Sequence, residues 1–373
     1  MKKIAILVFF TVGFFVHVWA CTGLIAGKQA TVDGSVLVTY SADSHTLYGA
    51  LTSSPAADWP KGSMRSIVEW DTNKPLGEIE QVEHTYAVMG NMNEHQLTVV
   101  ESTWGGRPEL VDTTGIIDYG SLMQLALERA KTAREAIKVM TGLVKKYGYY
   151  SSGESFTIAD PNEAWILDLI GKGPGRRGAV WVAVRIPDDC IAGHANYPRI
   201  HKIPMDDKEN CLYSPDVISF AREMGYFDGL NKDFSFARAY SPADFGALRA
   251  CDARVWSFFR KYDSTMDNYL PYVNGESAEP FPLYVKPSRK LSVQDMKEAM
   301  RDHFEDTPFD MTQDVGAGPF KVPYRFRPMS FEVDGKSYCM ERAIATQQTG
   351  FTLVGQMRNW LPDPVGGVLW FGV

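Results

Sequence analysis

The most apolar stretch of the chain comes at its start. Lys2 and Lys3 precede an almost unbroken hydrophobic run over residues 4–16, which closes on Val18-Trp19-Ala20. That run is too short to span a bilayer comfortably, which takes about 20 residues, and its basic start and short apolar core are those of a secretory signal peptide. Residues 1–20 are therefore read as a leader, with the functional chain over residues 21–373. Beyond the leader the period shortens. Residues 21–28 are mostly apolar, residues 35–40 are apolar and β-branched, and Val32-Asp33-Gly34 between them is a hairpin turn signal. Antiparallel pairing of these two runs brings Asp43, just past the second, back beside Cys21.

Residues 51–63 read as a surface loop, 65–70 and 85–89 as short strands, and 90–95 as a turn leading into a strand over 96–101. A helical period then takes over. Leu122, Leu125 and Leu127 mark one helix over 118–130, and Thr132 with Glu135 forms a capping box for a second whose inner face is Ala136, Ile137, Met140, Leu143 and Val144. Strand patterns return at 154–158, 164–170, 180–186 and 191–196. Helices are expected over 215–224, from Ser241-Pro242 onward, and over 292–303. Strands, two helices, then strands predict an α+β fold of stacked sheets covered by helices. Residues 367–373 are an apolar strand with no polar tail, read as the end of a fragment in preference to a buried last strand.

Composition narrows the class. With 45% hydrophobic and 12% aromatic residues the sequence is globular. Net charge is −7, and −9 once Lys2 and Lys3 leave with the leader, so no basic face for nucleic acid is expected. No later stretch is long and apolar enough for a transmembrane segment. The five cysteines are Cys21, Cys190, Cys211, Cys251 and Cys339. An odd count sets one apart, and Cys21 is the natural one; the other four are free to form up to two disulfides or to stay as buried thiols. No ligand spacing suggests a metal, and no cofactor is expected.

Cleavage after Ala20 would leave Cys21 with a thiol and a free α-amine on one residue. An α-amine titrates near pH 8, so at neutral pH part of it is neutral and able to take the thiol proton. The thiolate is the reactive form, and an adjacent base is what generates it. A competing use of the same junction is acylation of Cys21 as a lipoprotein anchor, which blocks the amine; Trp19 is bulky where lipoprotein signals take a small residue. His95 and His194 are candidate partners for a Cys/His dyad, but no papain-like context surrounds Cys21.

Cys21-Thr22-Gly23, Asp33-Gly34-Ser35 before the strand that ends near Asp43, Met92-Asn93-Glu94-His95, His194-Ala195-Asn196 and Ala253-Arg254-Val255-Trp256 resemble exported dipeptidases of the cysteine N-terminal-nucleophile (Ntn) hydrolase class. Penicillin V acylase and choloylglycine (bile salt) hydrolase are relatives of that class. The resemblance runs from Cys21 to the end. It implies a four-layer αββα sandwich of two antiparallel sheets between helix layers, and hydrolysis of dipeptides by an exported bacterial enzyme, periplasmic or secreted. It implies Cys21 as nucleophile, Asp43 as the acid that orients its amine, Asn196 as an oxyanion donor and Arg254 as a brace. The arginine that bile salt hydrolases carry three residues before the acid is replaced here by Tyr40, and an acylase asparagine is replaced in the stretch Glu101-Ser102-Thr103. Tyr40 and Asn93 are carried as substrate-binding positions. Acyl amides of the penicillin or bile acid type are the alternative substrates, and a non-catalytic lipoprotein the alternative function.

Overall fold

The computed structural model describes residues 20–44, 49–325, 330–339 and 341–372. All of the expected leader except Ala20 lies outside the described residues. Strand β1 (Ala20–Ala26) and strand β2 (Val36–Asp43) form the expected hairpin, with Ala20 opposite Asp43 and Cys21 opposite Ala42. Asp33 makes the turn: its carboxylate accepts from the Ser35 amide and hydroxyl, and Gly34 takes the left-handed φ of +84° that a side chain would resist.

Two large antiparallel sheets follow from this hairpin and from β3 (Thr98–Trp104), β4 (Gly153–Ala159), β5 (Ala164–Gly171), β6 (Ala179–Ile186), β7 (Ile191–His194), β8 (Cys211–Tyr213), β9 (Thr349–Met357) and β10 (Val368–Gly372). The first sheet runs Tyr284–Val285, β7, β1, β2, β9, β10; the second runs β8, β6, β5, β4, β3 and three short strands. Side chains alternate across the first sheet as a pleat demands. Ile25, Val38 and Leu353 share one apolar cluster with Val100, Ile166 and Val182 of the second sheet. Leu24, Leu37 and Val354, one position along, join a different cluster with Trp256, Phe258 and Met296. Every strand of the β1–β2 hairpin is thus buried on both faces, which is why its sequence is a near-continuous run with little polar alternation.

Helix α1 (Tyr119–Arg129) and helix α2 (Ala133–Tyr147) pack Leu122, Leu125, Ile137 and Met140 against Ile158, Trp165 and Leu167 of the second sheet. Asp118 caps α1 by accepting from the Ser121 amide, and Thr132 caps α2 by accepting from Glu135. The Glu135 carboxylate reaches back to the amide of Lys131, one residue short of a reciprocal box. Helices α3 (Ala253–Arg260) and α4 (Val293–Ala299) serve the first sheet. Among the described residues no helix is long and apolar enough to cross a membrane.

Several expectations need correction. The helix read from Ser241 does not start there: Ser241 closes a short helix, Phe236–Tyr240, capped by Ser235. The chain then enters α3 through a π-helical turn, Ala247–Asp252. Strand β9 has no counterpart in the sequence reading. Cys21, Cys190, Cys211 and Cys251 are all buried free thiols, so the two-disulfide scheme does not form.

Candidate active site

Parity along β1 decides what surrounds Cys21. Cys21 belongs to the layer between the sheets, together with Tyr40 and Ala42. Thr22 faces the other way, toward α3. There Arg254, with no exposed surface, directs all five of its N–H groups at acceptors. Nη1 donates to the Cys21 carbonyl (2.9 Å) and to Thr22 Oγ1 (2.8 Å), Nη2 to the Ala195 carbonyl (3.1 Å) and to Asn196 Oδ1 (2.8 Å), and Nε to the Ala250 carbonyl (2.9 Å). One guanidinium therefore ties the nucleophile's strand to the end of β7. Gly23 is explained by the same crossing. A Cβ there would sit 2.7 Å from Nε2 of His194, closer than any side chain tolerates.

Asn196 is the second tie. Its backbone takes a left-handed φ of +59°, which asparagine accepts more readily than most residues, and its amide donates to Ser102 Oγ (3.2 Å). Its Oδ1 accepts from the Cys21 nitrogen at 2.9 Å. One of its two side-chain N–H bonds goes to the Thr103 carbonyl. Asn196 thus meets the Cys21 nitrogen with its acceptor, fixed there by Arg254, and has one side-chain N–H left without a partner among the described residues.

Asp43 is buried at the end of β2. Thr349 Oγ1 donates to its Oδ1 (2.6 Å), while Oδ2 has no partner among the described residues. Burial lifts the Asp43 carboxyl to about 6, against the pull of the Arg342 and Arg254 cations and the Thr349 hydrogen bond. The Tyr40 hydroxyl lies 3.8 Å from the Cys21 sulfur and donates to Glu101 Oε1. Burial, with the charges of Glu101 and Asp43 adding to it, pushes the Cys21 thiol well above its ordinary value. Cys21 at rest is therefore held as a thiol, which would need a base to react.

Neither candidate histidine supplies that base. His194 is fully buried, with Nδ1 held by Ser102 Oγ (2.6 Å) and Nε2 by Thr157 Oγ1 (2.9 Å). Burial and the Arg254 and Arg199 charges depress it to about 3. His95 lies against Asp363 at 3.4 Å. Asn93 also stands apart from the cavity beside the sulfur. Its NH2 donates to the carbonyls of Leu127 and Ala130, and its Oδ1 accepts from the amides of His95 and Leu97. All its capacity goes to fastening a turn to the end of α1, so it leaves nothing for substrate. Asn91, two residues earlier, lines the cavity instead.

That cavity measures about 290 Å³, at the small end for ligand sites. Cys21, Tyr40 and Asp43 sit in its wall, with Trp70, Met123, Phe351 and Phe371 as apolar surface and Asp71 and Glu101 as further carboxyl groups. The sequence reading passed over Asp71, Tyr119, Thr349 and Arg342. Each sits in a segment with no pattern that marks chemistry.

A buried thiol with an anchored nitrogen on the same residue, in the wall of a cavity of about 290 Å³, is compatible with a cysteine-type hydrolase. The chain belongs to peptidase family C69, whose sequence model matches residues 20–373. It is similar to a probable dipeptidase of Salmonella dublin, 28% identical over 318 residues, covering 78% of this chain and 68% of that protein. It is also similar to a probable dipeptidase of Latilactobacillus sakei, 25% identical over 376 residues (95% and 71%), and to dipeptidase A of Lactobacillus helveticus, 24% identical over 372 residues (94% and 72%). Family and relatives together make this a cysteine-type dipeptidase.

Proposed function

We propose that the protein is an exported bacterial dipeptidase, periplasmic or secreted, that works as an N-terminal-nucleophile hydrolase on a four-layer αββα scaffold. In this reading the leader is removed after Ala20, which exposes the amine of Cys21. The observation that carries it is the 2.9 Å contact of that nitrogen with Asn196 Oδ1, itself pinned by Arg254. A base held in this way beside a protonated thiol has the position that general-base catalysis asks for. The amine takes the thiol proton, and the sulfur attacks the scissile carbonyl. The oxyanion is met by the remaining N–H of Asn196 and a backbone amide. The ammonium hands its proton to the departing amine, leaving a thioester on Cys21. Water, deprotonated by the same amine, then releases the acid and restores the thiol. Asp43, whose Oδ2 has no partner among the described residues, is the carboxylate that steadies the ammonium between these steps.

The pH dependence follows from that last role. The acid near 6 loses its charge as pH falls through that value. The charged and titratable groups around it are Arg342, Arg254, Glu101 and Cys21, and none replaces a carboxylate next to the amine. Below about 8 the amine itself takes up a proton, so kcat/KM is expected to fall about tenfold per pH unit, and below roughly 6 the loss of the Asp43 charge should steepen that fall to about a hundredfold per unit. A slope that stays at tenfold per unit down to pH 4.5 would remove Asp43 from this role.

Substrate class is tested by a panel of dipeptides beside taurocholate and penicillin V. Dipeptides should be hydrolysed at least about 100-fold faster than either acyl amide, a gap reachable when polar groups are built for one substrate. Faster turnover of an acyl amide would place the enzyme with the acylases. A diacylglyceryl adduct on Cys21 would point to the lipoprotein alternative.

A further inference from the structure

Glu101 is 1% exposed and lines the cavity; apart from the carboxyl group of Glu154 behind it, its Oε2 meets no hydrogen-bond donor among the described residues, and no ion pair joins it there to a cation. A buried carboxyl group without a cationic partner is costly unless a charged donor arrives. Its other oxygen takes the Tyr40 hydroxyl, which itself lies 3.8 Å from the sulfur, so Glu101 stands one hydroxyl beyond the nucleophile. Asp71, in the same wall, is more open. The Tyr119 hydroxyl donates to its Oδ1 at 2.9 Å, and no described residue bonds its Oδ2. Behind Glu101 lies Glu154, whose carboxyl is pushed well above its ordinary value by burial and by the charge and hydrogen bond of Glu101. No lysine, arginine or histidine lines the cavity among the described residues.

The cavity can take one end of a peptide. For attack, the scissile carbonyl carbon must come within about 3–3.5 Å of the sulfur. The α-nitrogen of the residue that bears this carbonyl is two bonds away, about 2.5 Å further. It therefore stays inside the cavity whose wall carries Glu101 and Asp71. A free α-ammonium has three N–H donors and a positive charge for that wall. An acylated nitrogen has one N–H and no charge, and a carboxylate would be repelled by it.

Building on the dipeptidase reading above, we propose that Asp71 and Glu101 bind the free α-ammonium of the substrate's N-terminal residue, so that the enzyme discriminates against N-blocked peptides. Asp71 is the accessible anchor, held in place by Tyr119. Glu101 sets the negative field at the back of the site. The side chain of the N-terminal residue lies against the aromatic surface of Trp70 and Phe351, and the C-terminal residue leads out to the opening.

The test is steady-state kinetics on Ala-Ala and N-acetyl-Ala-Ala with the mature enzyme, Asp71→Asn and Asp71→Glu. The unmodified enzyme should prefer the free dipeptide at least 100-fold in kcat/KM. Asp71→Asn should raise KM for Ala-Ala at least tenfold, leave kcat within threefold, and shrink the preference at least tenfold. Asp71→Glu should recover part of it. An unchanged kcat reports an intact fold in the same assay. A preference within twofold of the unmodified enzyme's in Asp71→Asn, or equal turnover of both peptides by the unmodified enzyme, overturns the ammonium site and leaves the dipeptidase standing. Hydrolysis of neither peptide overturns both.

Discussion

Cys21→Ala is expected to abolish dipeptide hydrolysis, a fall of at least about 10⁴-fold, the scale seen when a covalent nucleophile is removed. The side chain is 4% exposed and packed in the layer between the sheets, so the lost sulfur leaves only a small void. Stability should drop by about 1 kcal/mol, and the purified variant should keep its secondary structure. Cys21→Ser separates the thiol from the base. A hydroxyl is far harder to deprotonate than a thiol, and an amine that titrates near 8 is poorly matched to it. Residual activity of about 1% or less is expected. Assays with Ala-Ala on circular-dichroism-verified variants check both figures. Activity within tenfold of the unmodified enzyme in Cys21→Ala would end the case for covalent catalysis here.

A chain that keeps one residue before Cys21 should be nearly as inactive. Its Cys21 nitrogen is then an amide, with the lone pair delocalised into the preceding carbonyl and no basicity left. It still donates to Asn196, as it does here with Ala20 in place, but it cannot accept the thiol proton. Ala20 also pairs across the strand from Asp43, so the extra residue stands beside the carboxyl group that should face the amine. Loss of a positioned general base is worth about 10² to 10⁴ in rate. A drop at least that large is expected when the chain starting at Ala20 is compared with the chain starting at Cys21. Retained activity would shift the base to the Tyr40–Glu101 pair, whose hydroxyl lies 3.8 Å from the sulfur.

The parts of this site that could be read in advance are the ones local hydrogen bonding and pairing dictate. Asp33-Gly34 specifies a tight turn, the turn specifies the register, and the register puts Asp43 across from Ala20, one position before Cys21. The helix starts at Asp118, Thr132 and Ser292 were legible for the same reason, each side chain capping an amide three residues on. The Ser241-Pro242 signal failed because Ser241 closes the preceding helix, and its neighbours serve a π-helical turn instead. Strand β9 escaped notice because Gly350, Gly355 and Gln356 dilute its apolar pattern, yet it carries Thr349 to Asp43 across 306 positions. Arg254 shows the general limit. Its helix could be suspected, but not that five acceptors from β1, β7 and its own turn converge on it. Asn93 failed in the opposite sense: a polar residue in a suggestive motif is consumed entirely by backbone groups of α1 and its own turn.

The anionic wall of the cavity was equally hidden. Asp71 comes from a loop after a short strand, Tyr119 from the first turn of α1 and Glu101 from the middle of β3, and nothing short of the folded chain relates them. Their shared sign becomes meaningful only once a cavity of about 290 Å³ encloses them beside a thiol.

The most direct test of the central claim is the intact mass of the catalytically active protein, with N-terminal sequencing, after expression in an exporting bacterial host. The mechanism predicts a single species that begins at Cys21 with an unmodified amine. A fully active species that begins at any other residue, or that carries an acyl group on the Cys21 nitrogen, would contradict it.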